Sequence, residues 1–259
     1  MRLLIILLLV IAAPTVVVAE TPEEKGLAIA IEGDRRYDGF HDFKVDLVMT
    51  LKNRQGEKSV RFMRNRTLEV KEDGDKSLVI FDRPRDVKGT ALLNFTHAKG
   101  NDDQWLYLPA LKRVKRISSA NKSGPFMGSE FAYEDITSQE IEKYTYKWLR
   151  DEEYEGRKCF VVERYPAYEN SGYTRQVVWV DQKEYRIAKI DYYDRKNSLL
   201  KTQTFNGYRL YLDKYWHADN FFVVNHQTGK STDLQWKDYK FRVGLEDKNF
   251  NKNSLKRVR

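Results

Sequence analysis

Apolar and polar positions alternate with a period of two through most of this chain. From Phe43 onward, Phe43, Val45, Leu47, Met49 and Leu51 fall on one side, with Lys44, Asp46, Thr50 and Lys52 on the other. That is the pattern of a half-buried antiparallel strand. A turn containing Gly56 follows, and Val60 to Lys71 returns with Arg61, Arg64 and Arg66 interleaved, which predicts a hairpin. Asp73-Gly74-Asp75 signals another tight turn before strands at Ser77 to Phe81 and Ala91 to Phe95. One early stretch has a helical period instead. Thr21 can cap it, Pro22 suits its first position and Glu24 completes a capping box, so a short amphipathic helix is expected over 22–36. Its apolar stripe, Leu27, Ala30 and Ile31, is expected to pack on the sheet.

The most informative stretch runs from Trp105 to Ile136. A strand, Trp105 to Leu108, stops at Pro109, which cannot donate to a central ladder. A second strand, Arg113 to Ile117, alternates imperfectly, because Arg116 falls on the same face as Val114 and leaves the ribbon densely cationic. Ser118 to Gly124 is a polar turn, and apolar and acidic residues interleave from Phe126 to Ile136. Read from the residues alone, this is either a hairpin with solvated cations and Phe126, Phe131 and Tyr133 in the core, or a loop that covers an apolar binding site. Ser138 is placed to cap a brief helix over 138–143. Further strands are expected at 144–151, 158–165, 175–181, 186–193, 200–211, 221–225 and 230–241, with a Phe-containing tail to Leu255. Many strands and few helices predict an antiparallel, mainly β or α+β, architecture with no internal repeat and no domain boundary.

At the N-terminus, Arg2 precedes an apolar run from Leu3 to Ala13, and Val17-Val18-Ala19 has the small residues of a signal-peptidase site. Residues 1–19 are therefore expected to be a cleaved secretory signal and 20–259 a single domain. The net charge of +8 comes from 46 basic against 38 acidic residues spread along the chain. In an exported protein that balance fits an anionic membrane surface or an acidic partner rather than nucleic acid. The single cysteine, Cys159, excludes an internal disulfide, so stability has to come from the core.

Catalytic constellations do not assemble. His41, His97, His217 and His226 lack metal-ligand spacing, and His217-Ala218-Asp219 reads as a surface turn. Ser129 lacks the second glycine of a nucleophile elbow, and there is no Gly-rich phosphate loop. Glu130, Glu134 and Asp135 could hold a cation or exchange protons, but pairing with the nearby basic ribbon is the expected use. No enzyme activity, metal or cofactor is expected.

The runs Trp-Leu-Tyr-Leu-Pro-Ala-Leu-Lys-Arg-Val-Lys-Arg-Ile (105–117), Phe-Met-Gly-Ser-Glu-Phe-Ala-Tyr-Glu-Asp-Ile (126–136) and Arg-Pro-Arg-Asp-Val-Lys-Gly-Thr-Ala-Leu-Leu (83–93) resemble the outer membrane lipoprotein-sorting proteins, a LolA-like periplasmic family. The resemblance extends over nearly all of the mature region. It implies a curved antiparallel sheet forming an incomplete LolA/LolB-like β-barrel, its apolar face covered by helices and loops. It implies a periplasmic carrier of lipoprotein acyl chains or another lipid towards the outer membrane. An accessory of an RND-type inner-membrane transporter, or an envelope-stress sensor without lipid transport, are the alternatives. Phe43, Val45, Leu47, Met49 and Trp105 are the candidate lipid-binding residues, with Phe126, Met127, Phe131 and Tyr133 as a mobile apolar gate. Lys112, Arg113, Lys115 and Arg116 are candidates for transient docking on a membrane or partner, by a protein expected to be a monomer.

Overall fold

In the computed structural model, which describes residues 19–257, the period-two stretches all become strands. They are β1 (Asp42–Lys52), β2 (Lys58–Leu68), β3 (Lys76–Arg83), β4 (Ala91–Phe95), β5 (Asp103–Leu108) and β6 (Arg113–Ile117). A second set follows: β7 (Tyr144–Tyr154), β8 (Arg157–Pro166), β9 (Tyr173–Asp181), β10 (Ile187–Asp194), β11 (Leu199–Tyr211), β12 (Tyr215–Asn225) and β13 (Ser231–Phe241). Apart from Ala19, the expected signal segment lies outside the described residues. Among the described residues no helix is long and apolar enough to cross a membrane.

All thirteen strands form one curved, open antiparallel sheet in the order β6-β5-β4-β3-β2-β1-β13-β12-β11-β10-β9-β8-β7. Each strand pairs with its neighbour in sequence except at two places. The first strand joins the last, with Phe43 opposite Phe241 and Leu47 opposite Trp236, and β6 and β7 are left as the two edges. Two wings, β1–β6 and β7–β13, therefore meet along the β1–β13 pair.

Alternation gives each wing two apolar faces. In β3, Val79 and Phe81 point to an inner cluster with Phe43, Val45, Leu47 and Met49, while Leu78 and Ile80 point outward against Phe250 and Leu255 of the C-terminal tail. The second wing likewise has an inner cluster around Val178, Ile190 and Phe205 and an outer one around Val161 and Trp179. Cys159 belongs to that outer cluster, where burial raises its thiol pKa and leaves it a poor nucleophile.

The expected helix forms as α1 (Pro22–Tyr37), with Thr21 and Glu24 in a reciprocal capping box. Its docked face is not the expected one. Gly26 and Ile29 are buried, whereas Leu27 and Ile31 stay exposed. The reason is backbone proximity: a Cβ on Gly26 would lie 2.7 Å from the Trp148 nitrogen and 2.8 Å from that of Lys147. The helix sits directly on β7 there, and the glycine is what permits it. The brief helix expected over 138–143 is also shorter than predicted, a 3-10 turn at Ile141–Lys143. Ser138 does not cap it, since its hydroxyl is 3.3 Å from Asp75 Oδ2.

Gly26→Ala is a direct test of this docking. On an exposed helix the change stabilises by up to about 1 kcal/mol. Here the added methyl meets backbone, so urea melts are expected to show a loss of about 1–3 kcal/mol.

Candidate functional site

Because β6 and β7 are consecutive in the chain but lie at opposite edges, residues 118–143 have to cross between them. This strap passes over the inner face. Phe126 and Phe131, at 1% and 3% exposure, fill the groove, packed with the β1 row and with Phe81, whose ring centroid is 5.8 Å from that of Phe126. A small closed loop shapes the tip: the Phe126 N–H donates to the Phe131 carbonyl at 2.7 Å, and Pro125 bridges to Ala132. Met127 and Gly128 take the left-handed backbone conformation that turns the chain there.

Polar groups fasten the strap to both wings. On the first wing, Arg61 donates to the Met127 carbonyl, and the buried Gln104 donates to the Tyr133 carbonyl at 3.0 Å. On the second wing the fastening is denser. Lys201 Nζ donates to Asp135 Oδ2 at 2.6 Å and to the Glu130 carbonyl at 2.8 Å, and both side chains of this ion pair are almost fully buried. The Tyr173 hydroxyl donates to the same carboxylate. Glu134 accepts from the Gly172 N–H, the Ser171 hydroxyl and the Tyr168 hydroxyl at 2.8–3.0 Å. Asn225 donates to Glu130, whose own N–H donates to Thr232 on β13. An open cleft of about 830 Å³ runs beside this clasp, lined by Glu130, Phe131, Tyr173, Lys201 and Asn225 among others.

Glu130, Glu134 and Asp135 thus pair structurally, but with the second wing and not with the basic ribbon. Burial raises the pKa of Glu134, with the neighbouring Asp135 adding to it and the three donors opposing. No group of three or more metal-ligating side chains occurs among the described residues.

Of the expected lipid-binding residues, Phe43, Val45, Leu47, Met49, Phe126, Met127, Phe131 and Tyr133 come together in one inner cluster. Trp105 does not join them. It packs on the outer face against Phe95, with the Lys252 ammonium 5.7 Å from its ring. The cationic ribbon is likewise divided by strand alternation. Arg113 and Lys115 lie opposite Leu108 and Leu106, on the inner side, whereas Arg116 lies opposite Trp105 and pairs with Asp103. Lys112 occupies the turn just before β6.

Sequence reasoning missed Lys201, Tyr168, Tyr173 and Asn225. A signal existed in β11, where Lys201 and Gln203 occupy the same buried phase as Phe205, so polar groups interrupt an apolar row. His217 was misplaced as well: it lies within β12, not in a surface turn. Tyr37, Phe43, Tyr211, Tyr239 and Phe241 surround its ring, and burial pushes its pKa down to about 4.

A second titratable group of residues lies where α1, the β2–β3 turn and the end of the strap converge. Burial and mutual repulsion raise Asp34 to about 6, and Asp75 and Glu140 to about 7 each. Asp38, Glu69 and Glu142 add repulsion, and only Lys143 opposes it at Glu140. Raised carboxyl pKa values mean that the folded state binds more protons than the unfolded one between about pH 4 and 7. Stability conferred by the protonated groups is therefore complete below about pH 4 and lost as pH rises through 6–7. Thermal melts are expected to show a lower Tm at pH 8 than at pH 5.5, and the Asp75→Asn/Glu140→Gln variant should flatten that slope.

A family model described as an uncharacterized protein family matches residues 73–257. No curated protein matches the chain. A domain described as a candidate outer membrane lipoprotein-sorting protein from Vibrio parahaemolyticus is 59% identical, with 90% of this chain and 99% of that chain covered and a TM-score of 0.89. A DUF1329 family protein from Desulfovibrio piger is 31% identical over 91% of this chain and 99% of that one, with a TM-score of 0.86. A LolA superfamily protein from Nitrosomonas europaea shares the fold, at 21% identity, 88% and 98% coverage and a TM-score of 0.71. With 59% identity to the Vibrio domain over 90% of this chain and 99% of that one, the chain belongs to the outer membrane lipoprotein-sorting protein family, and it shares the fold of the LolA superfamily protein.

Proposed function

We propose that this protein is a periplasmic carrier that holds the acyl chains of a lipoprotein or another lipid in the groove between sheet and strap, and passes them on towards the outer membrane. Residues 1–19 would be its export signal and 20–259 a single carrier domain. The observation that carries the reading is the strap tip: Phe126 occupies the inner groove as a replaceable apolar group, while the chain from Glu130 onward, Phe131 included, is clasped by Lys201, Asn225 and their neighbours. The tip, 125–129, can then swing about a fixed clasp.

Magnitudes favour displacement. Withdrawing the Phe126 side chain costs about 1.5–3 kcal/mol in lost burial. An acyl chain of about a dozen methylenes gains roughly 10 kcal/mol gross on entering the same space. Cargo can therefore replace the tip, and no catalytic residue is needed. Returning the tip to the groove as cargo leaves recovers part of the cost of release. Arg113 and Lys115, on the inner side of the free edge and beside Leu106 and Leu108, are placed to meet an anionic surface at the groove rim.

Phe126→Ala tests the gate in two directions at once. It is expected to cost about 3–5 kcal/mol of stability and yet to raise the uptake of a fluorescent fatty acyl probe, since the groove is already open. Native mass spectrometry of protein purified from periplasm, followed by lipid extraction, is expected to find a stoichiometric acylated species. Lipid-free protein that takes up no probe, as wild type or as Phe126→Ala, would defeat the carrier reading. Arg113→Glu/Lys115→Glu is expected to abolish sedimentation with vesicles rich in phosphatidylglycerol, and unchanged sedimentation would remove the docking role.

A further inference from the structure

The cleft of about 830 Å³ beside the clasp has the size of a small-molecule site, and it adjoins the inner groove. Phe131 lines the cleft and also belongs to the inner cluster of the first wing. Tyr173 and Leu200 line it and pack in the inner cluster of the second. Pro125 and Ser129, the two ends of the strap tip, form part of its wall as well. Withdrawal of the tip therefore removes a partition, and groove and cleft become one space.

Two cations on the turn between β10 and β11, Arg195 and Lys196, line the same cleft. Among the described residues, Arg195 donates only to neutral oxygens. Its Nε reaches the Ser171 carbonyl at 3.0 Å, and its Nη2 reaches the Ser123 hydroxyl and the Asn170 carbonyl at 3.4 and 3.5 Å. Ser123 lies two residues before Pro125, so the guanidinium ties the second wing to the strap where the tip begins. Hydrogen bonds from a guanidinium to an ionised oxygen are roughly twice as strong as those between neutral groups, and Arg195 has its charge free for one.

The other charged groups of the cleft are already engaged. Lys201 is held by Asp135, and Glu130 accepts from Asn225. Asp194 accepts from Gln227 and from the N–H groups of Ser198 and Lys196, and these bonds hold its carboxyl below the usual range.

We propose that the cleft receives the phosphate of a phosphorylated acyl lipid, with Arg195 as its principal contact and Lys196 as a second cation, while the acyl chain fills the space left by the tip. This rests on the carrier reading and deepens it, since it names the class of head that the cargo bears. A phosphate holds the guanidinium more strongly than the Ser123 hydroxyl does. Its arrival thus frees Ser123 beside the tip, and the head of the cargo helps to open the way for its own chain.

The test compares two probes with the same chain, 1-oleoylglycerol and 1-oleoylglycerol 3-phosphate, each below its aggregation threshold and at low salt. Wild-type protein is expected to bind the phosphorylated probe about tenfold more tightly, as charge-assisted hydrogen bonds of modest net strength allow. Arg195 is exposed, and Arg195→Gln should bring that ratio close to one. In the wild type, the Nε–H resonance assigned to Arg195 should shift with the phosphorylated probe and not with the neutral one, a readout independent of how the variant folds. Equal affinity for the two probes, or a tenfold preference that survives in Arg195→Gln, would overturn the head site and leave the carrier reading standing. Glycerol 3-phosphate binding as tightly as the phosphorylated lipid would also overturn it, leaving a site for small phosphate esters. Binding of neither lipid probe would remove both the site and the carrier reading.

Discussion

The pairing of β1 with β13 is the constraint on which the rest of the structure depends. Joining the first strand to the last brings the two wings together in the middle of the sheet, so the edges fall at β6 and β7, which follow one another in sequence. A connection between opposite edges of a curved sheet has to run across a face, and it runs across the inner one. The strap is therefore a consequence of strand order, and its apolar side chains enter the groove because the inner face they cross is apolar.

Holding such a strap requires more than apolar contact. Burial alone is non-directional and would let the segment slide, whereas a buried ion pair strictly fixes position because each charge is costly without the other. Lys201 and Asp135 perform that function here, with Tyr173, Glu134 and the Gly172 N–H supplying directional bonds around them. The polar groups concentrate from residue 130 onward and on the second wing, while the tip before it is attached to the first wing mainly by Phe126 and by Arg61. One end of the strap is thus fixed by hydrogen bonds and the other by burial, the kind of attachment that another apolar group can replace.

Much of this was legible in the sequence, and the limits have physical causes. Phe43 to Leu51 announced β1 because only one face of that strand is apolar, and Ala91 to Phe95 and Arg113 to Ile117 emerged with the bounds their patterns predict. The capping box fixed the start of α1, since it is a local interaction. The docked face of α1 was misread because a glycine contributes no hydropathy, although its missing side chain is what lets the helix rest on β7. Trp105 was grouped with the groove because alternation shows that a strand has two faces without showing which of them is inner. The clasp joins residues far apart in sequence, and no local period encodes it.

An open sheet exposes two rows of unpaired backbone groups, and such rows invite joining between molecules. On β6, Arg113, Lys115 and Arg116 place cations on both faces of a five-residue strand, so two β6 edges cannot meet without opposing like charges. On β7, Asp151, Glu152 and Glu153 put acids on both faces of its C-terminal half, where Arg150 pairs with Glu152. Joining β6 of one molecule to β7 of another would bring unlike charges together, and charge alone does not prevent it. What stands in the way is α1, whose backbone at Gly26 presses against Lys147 and Trp148 of β7. The helix that packs on the inner face of the second wing thus also covers part of its edge, at Lys147 and Trp148.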